Sequence, residues 1–238
     1  MATPKIESLR FEGLTFSYEN SAPIFQGLDF EFPMNRLVWF NAESGQGRSS
    51  LLQLLGALRF PDSGFVCLND MKVSDMSFEE FLPYRLKIGY SFDFGGLLNN
   101  KTIFENLTLP LMYHKILDIE SANKRVLEYL KFLAIDKYKD QRPAVVPGGV
   151  RKITCMLRAL ILHPDVLLLD DPSVGMNEST FLRYFDLIKK IQSEGALRHI
   201  FVSSFDKKLM GLLGSTEVVI DDGRLYLNES QEKYAVNT

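Results

Sequence analysis

A short apolar strand, a glycine-containing loop and an apolar helix follow one another directly, and this succession constrains the fold more than any other feature of the chain. Residues 37–40 form a continuous apolar run, which is typical of a strand covered on both faces. The segment 51–55, after the loop, has the composition of a helix. Similar buried runs at 166–169 and 199–202 flank the helical pattern of residues 181–191. Strands that alternate with helices in this way predict an α/β fold with a parallel sheet.

Both ends of the chain add antiparallel strands to this pattern. Residues 8–18 and 25–34 alternate apolar and polar side chains, which indicates two half-buried strands. Residues 218–227 predict a hairpin around Asp222-Gly223, because an Asp-Gly pair supplies the positive φ that a tight turn needs. The last eight residues are expected to form a loose tail.

The middle of the chain predicts helices only. Residues 102–115 and 119–135 carry apolar side chains at helical spacing, with no strand candidate between them. We therefore expect a single domain in which residues 1–92 and 161–238 form the core with its β subdomain, and residues 93–160 form an inserted helical subdomain.

Composition excludes several classes of protein. The chain has 238 residues, 46% apolar residues and a net charge of −3, which excludes collagen-like, disordered and disulfide-scaffold proteins. The near-neutral charge gives no reason to expect a nucleic-acid partner. No run of 18 apolar residues occurs, so we expect that the chain does not span a membrane. It could still dock on a protein that does. Cys67 and Cys155, without a CxxC motif, are expected to be reduced, buried thiols of a cytosolic protein.

The loop between the first buried strand and its helix has the spacing of a phosphate-binding loop. Backbone N–H groups at such a helix N-terminus bind anionic phosphate, and glycines let the backbone approach it closely. The pattern GxxxxGK[ST] is met only in a degenerate form, with alanine first and arginine in place of lysine. A two-glycine turn without a ligand is the alternative. The candidate residues are Ala42, Glu43, Ser44, Gly45, Gln46, Gly47, Arg48, Ser49 and Ser50.

Five further groups of segments occur in the order found in one family. These are residues 14–18; 88–92 with 102–107 and 109–111; 148–149 with 158–160; 166–172; and 222–224. Over nearly its full length the chain resembles the nucleotide-binding subunits of ABC transporters. Its nearest branch resembles the ATPases of lipoprotein release, cell division and phospholipid trafficking.

The resemblance implies a fold, ligands and partners. The fold is that of a P-loop (RecA-like) NTPase, with a mostly parallel sheet core, an N-terminal antiparallel β subdomain and an inserted α-helical subdomain. The ligands are ATP and Mg²⁺. The partners are a transmembrane permease subunit and either a second copy or a related ABC subunit, with no nucleic acid. Such a protein lies in the cytoplasm, peripheral on the inner face of the cell membrane.

Several positions of the family's site are kept. The resemblance assigns Tyr18 to stacking on the adenine ring. It assigns the hydroxyl of Ser49 and the carboxylate of Asp170 to the metal.

Other positions depart from the family. Arg48 replaces the lysine that contacts the β and γ phosphates, and its planar fork is not interchangeable with an ammonium. Asp171 replaces the glutamate that polarises the attacking water, and it is shorter by about 1.5 Å. Asp171 is therefore only a weak candidate for the catalytic base. The histidine that hydrogen-bonds the γ-phosphate corresponds to Phe205, or to Ser204 if the alignment shifts by one.

Two further segments are also altered: the loop that contains Asp93 and the signature segment. Asp93 stands where the family has a metal-contacting glutamine. Three roles are open for its carboxylate: it ligates Mg²⁺, it repels the γ-phosphate, or it is a solvated loop residue. The signature segment reads Leu-Ser-Gly-Gly-Gln in the family. Here its last four residues are Pro147, Gly148, Gly149 and Val150. Pro147 lacks the serine hydroxyl, and Val150 lacks the glutamine amide. Asn177 replaces an aspartate in the loop after Asp170.

Two hypotheses follow. In the family each ATP lies between the phosphate loop of one chain and the signature segment of another, and both are altered in this chain. The first hypothesis is an ATP-binding transporter subunit with weak or absent hydrolysis. The alternative is a non-catalytic pseudo-ATPase that acts as a structural or regulatory partner of a membrane complex.

Overall fold

The computed structural model describes residues 4–93 and 95–228, and the predicted tail at 231–238 lies outside them. The described strands are β1 (Leu9–Phe16), β2 (Phe25–Glu31), β3 (Leu37–Asn41), β4 (Ser63–Leu68), β5 (Met71–Lys72), β6 (Ile88–Ser91), β7 (Val166–Asp170), β8 (His199–Ser203), β9 (Thr216–Asp221) and β10 (Arg224–Asn228). The described α-helices are α1 (Arg48–Leu55), α2 (Phe78–Arg85), α3 (Ile103–Tyr113), α4 (Ile119–Phe132), α5 (Gly148–Leu160), α6 (Glu178–Ser193) and α7 (Lys207–Leu212). Single turns of 3₁₀ helix occur at Val73–Asp75, Asp136–Tyr138 and Pro143–Val145.

The chain divides into two compact units. Among the described residues, the first unit consists of residues 4–87 and 198–228, and the second of residues 88–93 and 95–197. The predicted subdomain boundaries at residues 93 and 160 are not tested by this division and remain a prediction.

An antiparallel sheet in the first unit has the strand order β2-β1-β4-β5. Phe11 on β1 lies opposite Phe30 on β2 and Val66 on β4. The two strands predicted near the N-terminus are therefore confirmed as antiparallel partners. Strands β4 and β5 were not predicted.

A second group of strands in the first unit contains the first apolar run of the sequence. Strand β3 lies between β8 and β9 and is parallel to both. The central residues of β3 are buried, as expected for a strand covered on both faces. Phe40 stacks on Phe201 with ring centroids 5.9 Å apart, and Phe32 packs edge-on against both rings. This aromatic cluster anchors the strand from which the candidate phosphate loop leaves.

The predicted C-terminal hairpin is confirmed. Strands β9 and β10 pair antiparallel, and the turn residues Asp222 and Gly223 have φ values of 44° and 70°. A Cβ at Gly223 would lie 2.5 Å from the backbone oxygen of Ile24, so this position also requires glycine for space.

In its described residues, the second unit combines two parallel strands with the four α-helices α3 to α6. Strands β6 and β7 pair in parallel, and every residue of β7 is buried. Between residues 95 and 160 the described residues form helices and turns without a strand, as the sequence predicts. Gly89 lets β6 approach helix α5 closely, because a Cβ there would lie 2.0 Å from the carbonyl oxygen of Ala159. None of the helices in residues 4–93 and 95–228 has the length and apolar composition needed to cross a membrane.

The prediction for the cysteines needs one correction. Both thiols are free and Cys67 is buried, but Cys155 is only half-buried. The Sγ of Cys155 lies 2.9 Å from the carbonyl oxygen of Gly95, at the edge of a cleft in the second unit. Partial burial still raises the pKa of the Cys155 thiol.

Candidate functional site

The candidate phosphate loop connects β3 to α1 and depends on glycine conformations. Gly45 and Gly47 have φ values of 85° and 89°, in the left-handed region. A Cβ at Gly47 would lie 2.4 Å from Ile24 Cγ2 and 3.1 Å from the ring of Phe25, whereas the position at Gly45 is open. Gly47 is therefore required by both backbone conformation and space.

The N-terminus of α1 has no side-chain cap. Its N-cap residue is Gly47, and its first turn contains no acidic residue. Helices α2, α3, α4, α6 and α7 are capped by the side chains of Ser77, Thr102, Asp118, Asn177 and Asp206. Among the seven described α-helices, only α5 shares the uncapped N-terminus of α1. An uncapped helix N-terminus preceded by glycines suits an anionic group such as phosphate.

The side chain of Arg48, at the first position of α1, is directed to an aromatic ring. Arg48 is 7% exposed, and its guanidinium carbon lies 3.4 Å from the centroid of the Phe205 ring. This is a close cation–π contact. Two positions that the sequence predicts to differ from the family's residues therefore contact each other.

The loop after β8 is held so that Phe205 meets Arg48. Trp39 Nε1 donates a hydrogen bond of 2.8 Å to the carbonyl oxygen of Ser204, and the N–H of Asp206 donates to the Ser204 hydroxyl at 3.1 Å. Asp206 also caps α7. Ser204 is 1% exposed and Phe205 is 56% exposed. Of the two residues that the sequence alignments offered, Phe205 is the one in contact with Arg48.

Tyr18 lies beside the first turn of α1. Its hydroxyl shares a 3.0 Å hydrogen bond with the hydroxyl of Ser50, and the guanidinium carbon of Arg59 lies 4.8 Å from the Tyr18 ring centroid. Ser49 is half-buried in the same turn. The first unit therefore brings Tyr18, Ser50 and the phosphate loop together.

Two consecutive aspartates lie at the end of the buried strand β7 in the second unit: Asp170 is its last residue and Asp171 follows it. Asp170 is 4% exposed, and the hydroxyl of Tyr90 on β6 donates a long, 3.4 Å hydrogen bond to its Oδ2. Asp171 follows with a φ of 40°, a conformation that aspartate tolerates better than most residues. The carboxylate of Asp170 is an oxygen ligand of the type that Mg²⁺ prefers.

Asp93 is engaged by a residue that the sequence analysis missed. Lys152 Nζ lies 3.1 Å from Asp93 Oδ1 and also donates to the backbone carbonyls of Asp93 and Asp170. The signal was present in the sequence: on helix α5, Lys152 is in line with Met156 and Leu160, which are buried. A lysine within an apolar stripe requires an acceptor.

The signature segment forms the start of α5. Pro147 is the N-cap, Gly148 and Gly149 begin the helix, and Val150 is buried. Arg151 donates a 2.7 Å hydrogen bond back to the carbonyl oxygen of Val146. A cleft of about 540 Å³ in the second unit is lined by Asp93, Gly95, Gly148, Lys152, Cys155 and Gly175, among others. A Cβ at Gly149 would lie 3.3 Å from the carbonyl oxygen of Gly175, so glycine lets the start of the helix approach this loop closely.

The carbonyl group of Asn177 has a structural role. Its Oδ1 accepts the N–H of Thr180 at 2.8 Å and so caps α6. An aspartate would do the same, so the replacement noted in the sequence leaves this helix start unchanged.

Residues 25–174 match the family described as ABC transporter. The chain belongs to the ABC transporter family. Relatives in this family include the lipoprotein-releasing system ATP-binding protein LolD of Bacteroides thetaiotaomicron, which is 34% identical over 75% of this chain and 84% of its own length. The LolD protein of Pseudoalteromonas translucida is 28% identical over 89% of this chain and 90% of its own length. These relatives agree with the predicted membership and with the lipoprotein-release branch.

Solved structures of ABC ATP-binding cassettes share the fold. A dimeric cassette in a post-hydrolysis state, bound to ADP and phosphate, superposes with a TM-score of 0.81 at 24% identity, covering 91% of this chain and 96% of the other. A nucleotide-free cassette gives a TM-score of 0.75 at 19% identity over 95% and 94% of the two chains. The predicted α/β fold of a P-loop ABC ATPase is confirmed.

Proposed function

We propose that this chain is the ATP-binding subunit of an ABC transporter and that it hydrolyses ATP weakly or not at all. The observation that carries the proposal is the contact between Arg48 and Phe205. These residues occupy the positions of the family's phosphate-contacting lysine and histidine, and here they pack on each other.

The residues that would bind the nucleotide fit the ligand. The uncapped N-terminus of α1 and the left-handed Gly45 and Gly47 form a loop suited to phosphate. The hydroxyl of Ser49 and the carboxylate of Asp170 are each, within their own unit, an oxygen donor of the type that Mg²⁺ prefers. Bound Mg²⁺ would neutralise the charge of the triphosphate, and Tyr18 would contact the base.

The residues that would cleave the nucleotide fit poorly. Arg48 is buried against Phe205 and replaces a compact ammonium with a planar fork. Asp171 is too short for the position of the base. Loss of a preorganised donor lowers a rate by about 10² to 10³, and loss of a general base by about 10² to 10⁴, although such losses do not simply multiply. Two such losses together would leave little turnover.

The proposed setting is the cytoplasmic face of the cell membrane. Relatives are named for lipoprotein release and for methionine import, and each name describes an ATP-binding protein of a transport system. We infer that this chain binds a transmembrane permease subunit and pairs with a second copy or with a related ABC subunit. Because phosphate loop and signature segment are both altered, either pairing gives two impaired composite sites.

A pseudo-ATPase is the second candidate. Under this hypothesis the chain binds the membrane partner without any nucleotide. The contact between the buried Arg48 and Phe205 then stabilises the phosphate loop in place of a ligand. Titration with ATP, with and without Mg²⁺, separates the two candidates. Micromolar affinity supports the ATP-binding subunit, whereas millimolar or absent binding supports the pseudo-ATPase.

A reversion experiment tests the proposed loss of hydrolysis. The variant Arg48→Lys/Asp171→Glu/Phe205→His is expected to raise ATP turnover by at least about 10²-fold. The control variant Arg183→Lys/Asp186→Glu/Phe78→His makes the same three exchanges at exposed positions and should change nothing. Equal turnover of reversion and control would contradict the assignment of the loss to these residues, and rapid turnover of the unmodified chain would contradict the proposal itself.

A further inference from the structure

Lys152 is a buried cation within the second unit. It is 8% exposed and lies on helix α5, two residues after Val150 of the signature segment. An unpaired ammonium at such a depth would be strongly unfavourable, so its partners must be specific.

The three protons of the ammonium have three acceptors. Lys152 Nζ lies 2.9 Å from the carbonyl oxygen of Asp93, 3.1 Å from Asp93 Oδ1 and 3.2 Å from the carbonyl oxygen of Asp170. A lysine ammonium has three donors and no acceptor, so these contacts use its full capacity. Lys152 is thus a saturated structural cation, and a phosphate could reach it only by displacing one of these bonds.

These contacts join three segments that carry candidate site residues. Asp93 follows β6, Asp170 ends β7, and Lys152 lies in the second turn of the helix that begins at the signature glycines. All three segments belong to the second unit. One side chain therefore sets the spacing between the loop after β6, the strand end and α5.

The ion pair also changes the chemistry of Asp93. The sequence left open whether Asp93 ligates Mg²⁺, repels a γ-phosphate or is solvated. Its Oδ1 is instead held by Lys152, and the side chains of the pair are 28% and 8% exposed. A carboxylate already neutralised by a buried ammonium fits poorly as a metal ligand and repels phosphate little.

We infer that Lys152 is a positioning residue that neutralises Asp93, keeps this carboxylate from the metal and fixes the loop after β6 against α5 and the end of β7. The inference rests on the proposed function in one respect, since the metal matters only if Mg-ATP binds. The ion pair and its linking role are independent of nucleotide.

The first test measures ATP affinity with Mg²⁺ and with EDTA. In Lys152→Met the freed carboxylate should attract Mg²⁺ and repel bare ATP, which should increase the ratio of the two affinities by about tenfold. In Lys152→Met/Asp93→Asn both charges are absent, and the ratio should return to within about threefold of the unmodified chain. An unchanged ratio in Lys152→Met, together with a lost Mg²⁺ dependence in the double variant, would overturn the inference, because Asp93 would then be a metal ligand.

The second test needs no nucleotide. In ¹H–¹⁵N spectra near neutral pH, a buried ammonium with three hydrogen bonds should give a slowly exchanging signal that disappears in Lys152→Met and moves in Asp93→Asn. Absence of this signal from the unmodified chain would overturn the inference. If ATP does not bind but the signal is present, the proposed function fails and the positioning role stands.

A double-mutant cycle in urea unfolding adds a matched control. Lys152→Met and Asp93→Asn should show a coupling of at least about tenfold in the unfolding equilibrium constant. The exposed pair Lys190 and Glu128, also in the second unit, should show less than about threefold for Lys190→Met and Glu128→Gln. Additive effects of Lys152→Met and Asp93→Asn would overturn the inference.

Discussion

At the scale of the residue, the phosphate loop depends most on Gly47. Gly47→Ala should lower the free energy of unfolding by about 2–3 kcal/mol, because it adds left-handed strain and a clash with the branched side chain of Ile24. Gly45→Ala has similar backbone strain but open space around it, so its loss should be about 1 kcal/mol. Urea unfolding measures both values, and equal losses would contradict the role of the Ile24 contact.

The sequence pointed to single residues but not to their contacts. It predicts that Arg48 and Phe205 each depart from the family's residues. Their stacking was not predicted, because it depends on how Trp39 and Ser204 hold the loop after β8. Lys152 was missed because a lysine on a helix is usually solvated, and only its alignment with buried apolar residues indicated otherwise.

At the scale of the element, the start of α3 makes stability depend on pH. Thr102 and Glu105 form a capping box, and the hydrogen bond from the Thr102 N–H lowers the pKa of Glu105. A lowered folded-state pKa means that the ionised carboxylate stabilises the fold above its ordinary pKa. This stabilisation is lost as the pH falls from the ordinary pKa of glutamate through the lowered pKa of Glu105 in the folded protein.

The variant Glu105→Gln should therefore reduce the loss of stability between about pH 6 and pH 3, since glutamine keeps the capping geometry but does not ionise. Urea unfolding across this range measures the effect. Glu120→Gln, an exposed position in the first turn of α4, is the control. A pH dependence in Glu105→Gln as steep as in the unmodified chain would contradict the assignment.

The contact between β6 and α5 makes a second prediction for an element. Gly89→Ala should destabilise the protein by about 3 kcal/mol, because the added Cβ meets the rigid backbone of Ala159. Gly211→Ala, in α7 with no atom within 4 Å of the new Cβ, should stabilise by about 0.5 kcal/mol. Thermal or urea unfolding distinguishes these opposite signs, and a neutral Gly89→Ala would contradict the close packing.

Elements with a strong apolar pattern were predicted, and weakly patterned ones were not. The buried runs of β3, β7 and β8 and the periodic helices α3, α4 and α6 were recognised. Helix α2 was not, because it contains Pro83 and the helical periodicity of its apolar residues is weak. Its capping box at Ser77 and Glu80 was the available signal.

At the scale of the whole molecule, the departures from the family are spread over both units. Arg48 and Phe205 lie in the first unit, and Asp171 and the signature segment in the second. The buried strands and the side-chain caps of five of the seven described α-helices are nevertheless present. The family's fold is therefore retained, and the proposed function predicts that the catalytic groups are replaced.

The altered signature segment should weaken self-association driven by ATP. Pro147 is exposed and offers no hydroxyl, so Pro147→Ser should strengthen dimer formation in Mg-ATP by about tenfold. Analytical ultracentrifugation with and without Mg-ATP measures this. Val145→Ser, two residues earlier and also exposed, is the control. Equal dimerisation of both variants would contradict a direct role of position 147.

The most direct test of retained binding with lost cleavage is to measure ATP binding and phosphate release on the same preparation of the unmodified chain, free of contaminating ATPases. We expect micromolar binding of Mg-ATP together with turnover below about 0.01 s⁻¹, roughly 10² below the slow end of ordinary enzymes. Phosphate release that depends on Mg²⁺ and exceeds about 1 s⁻¹ would contradict the proposed function.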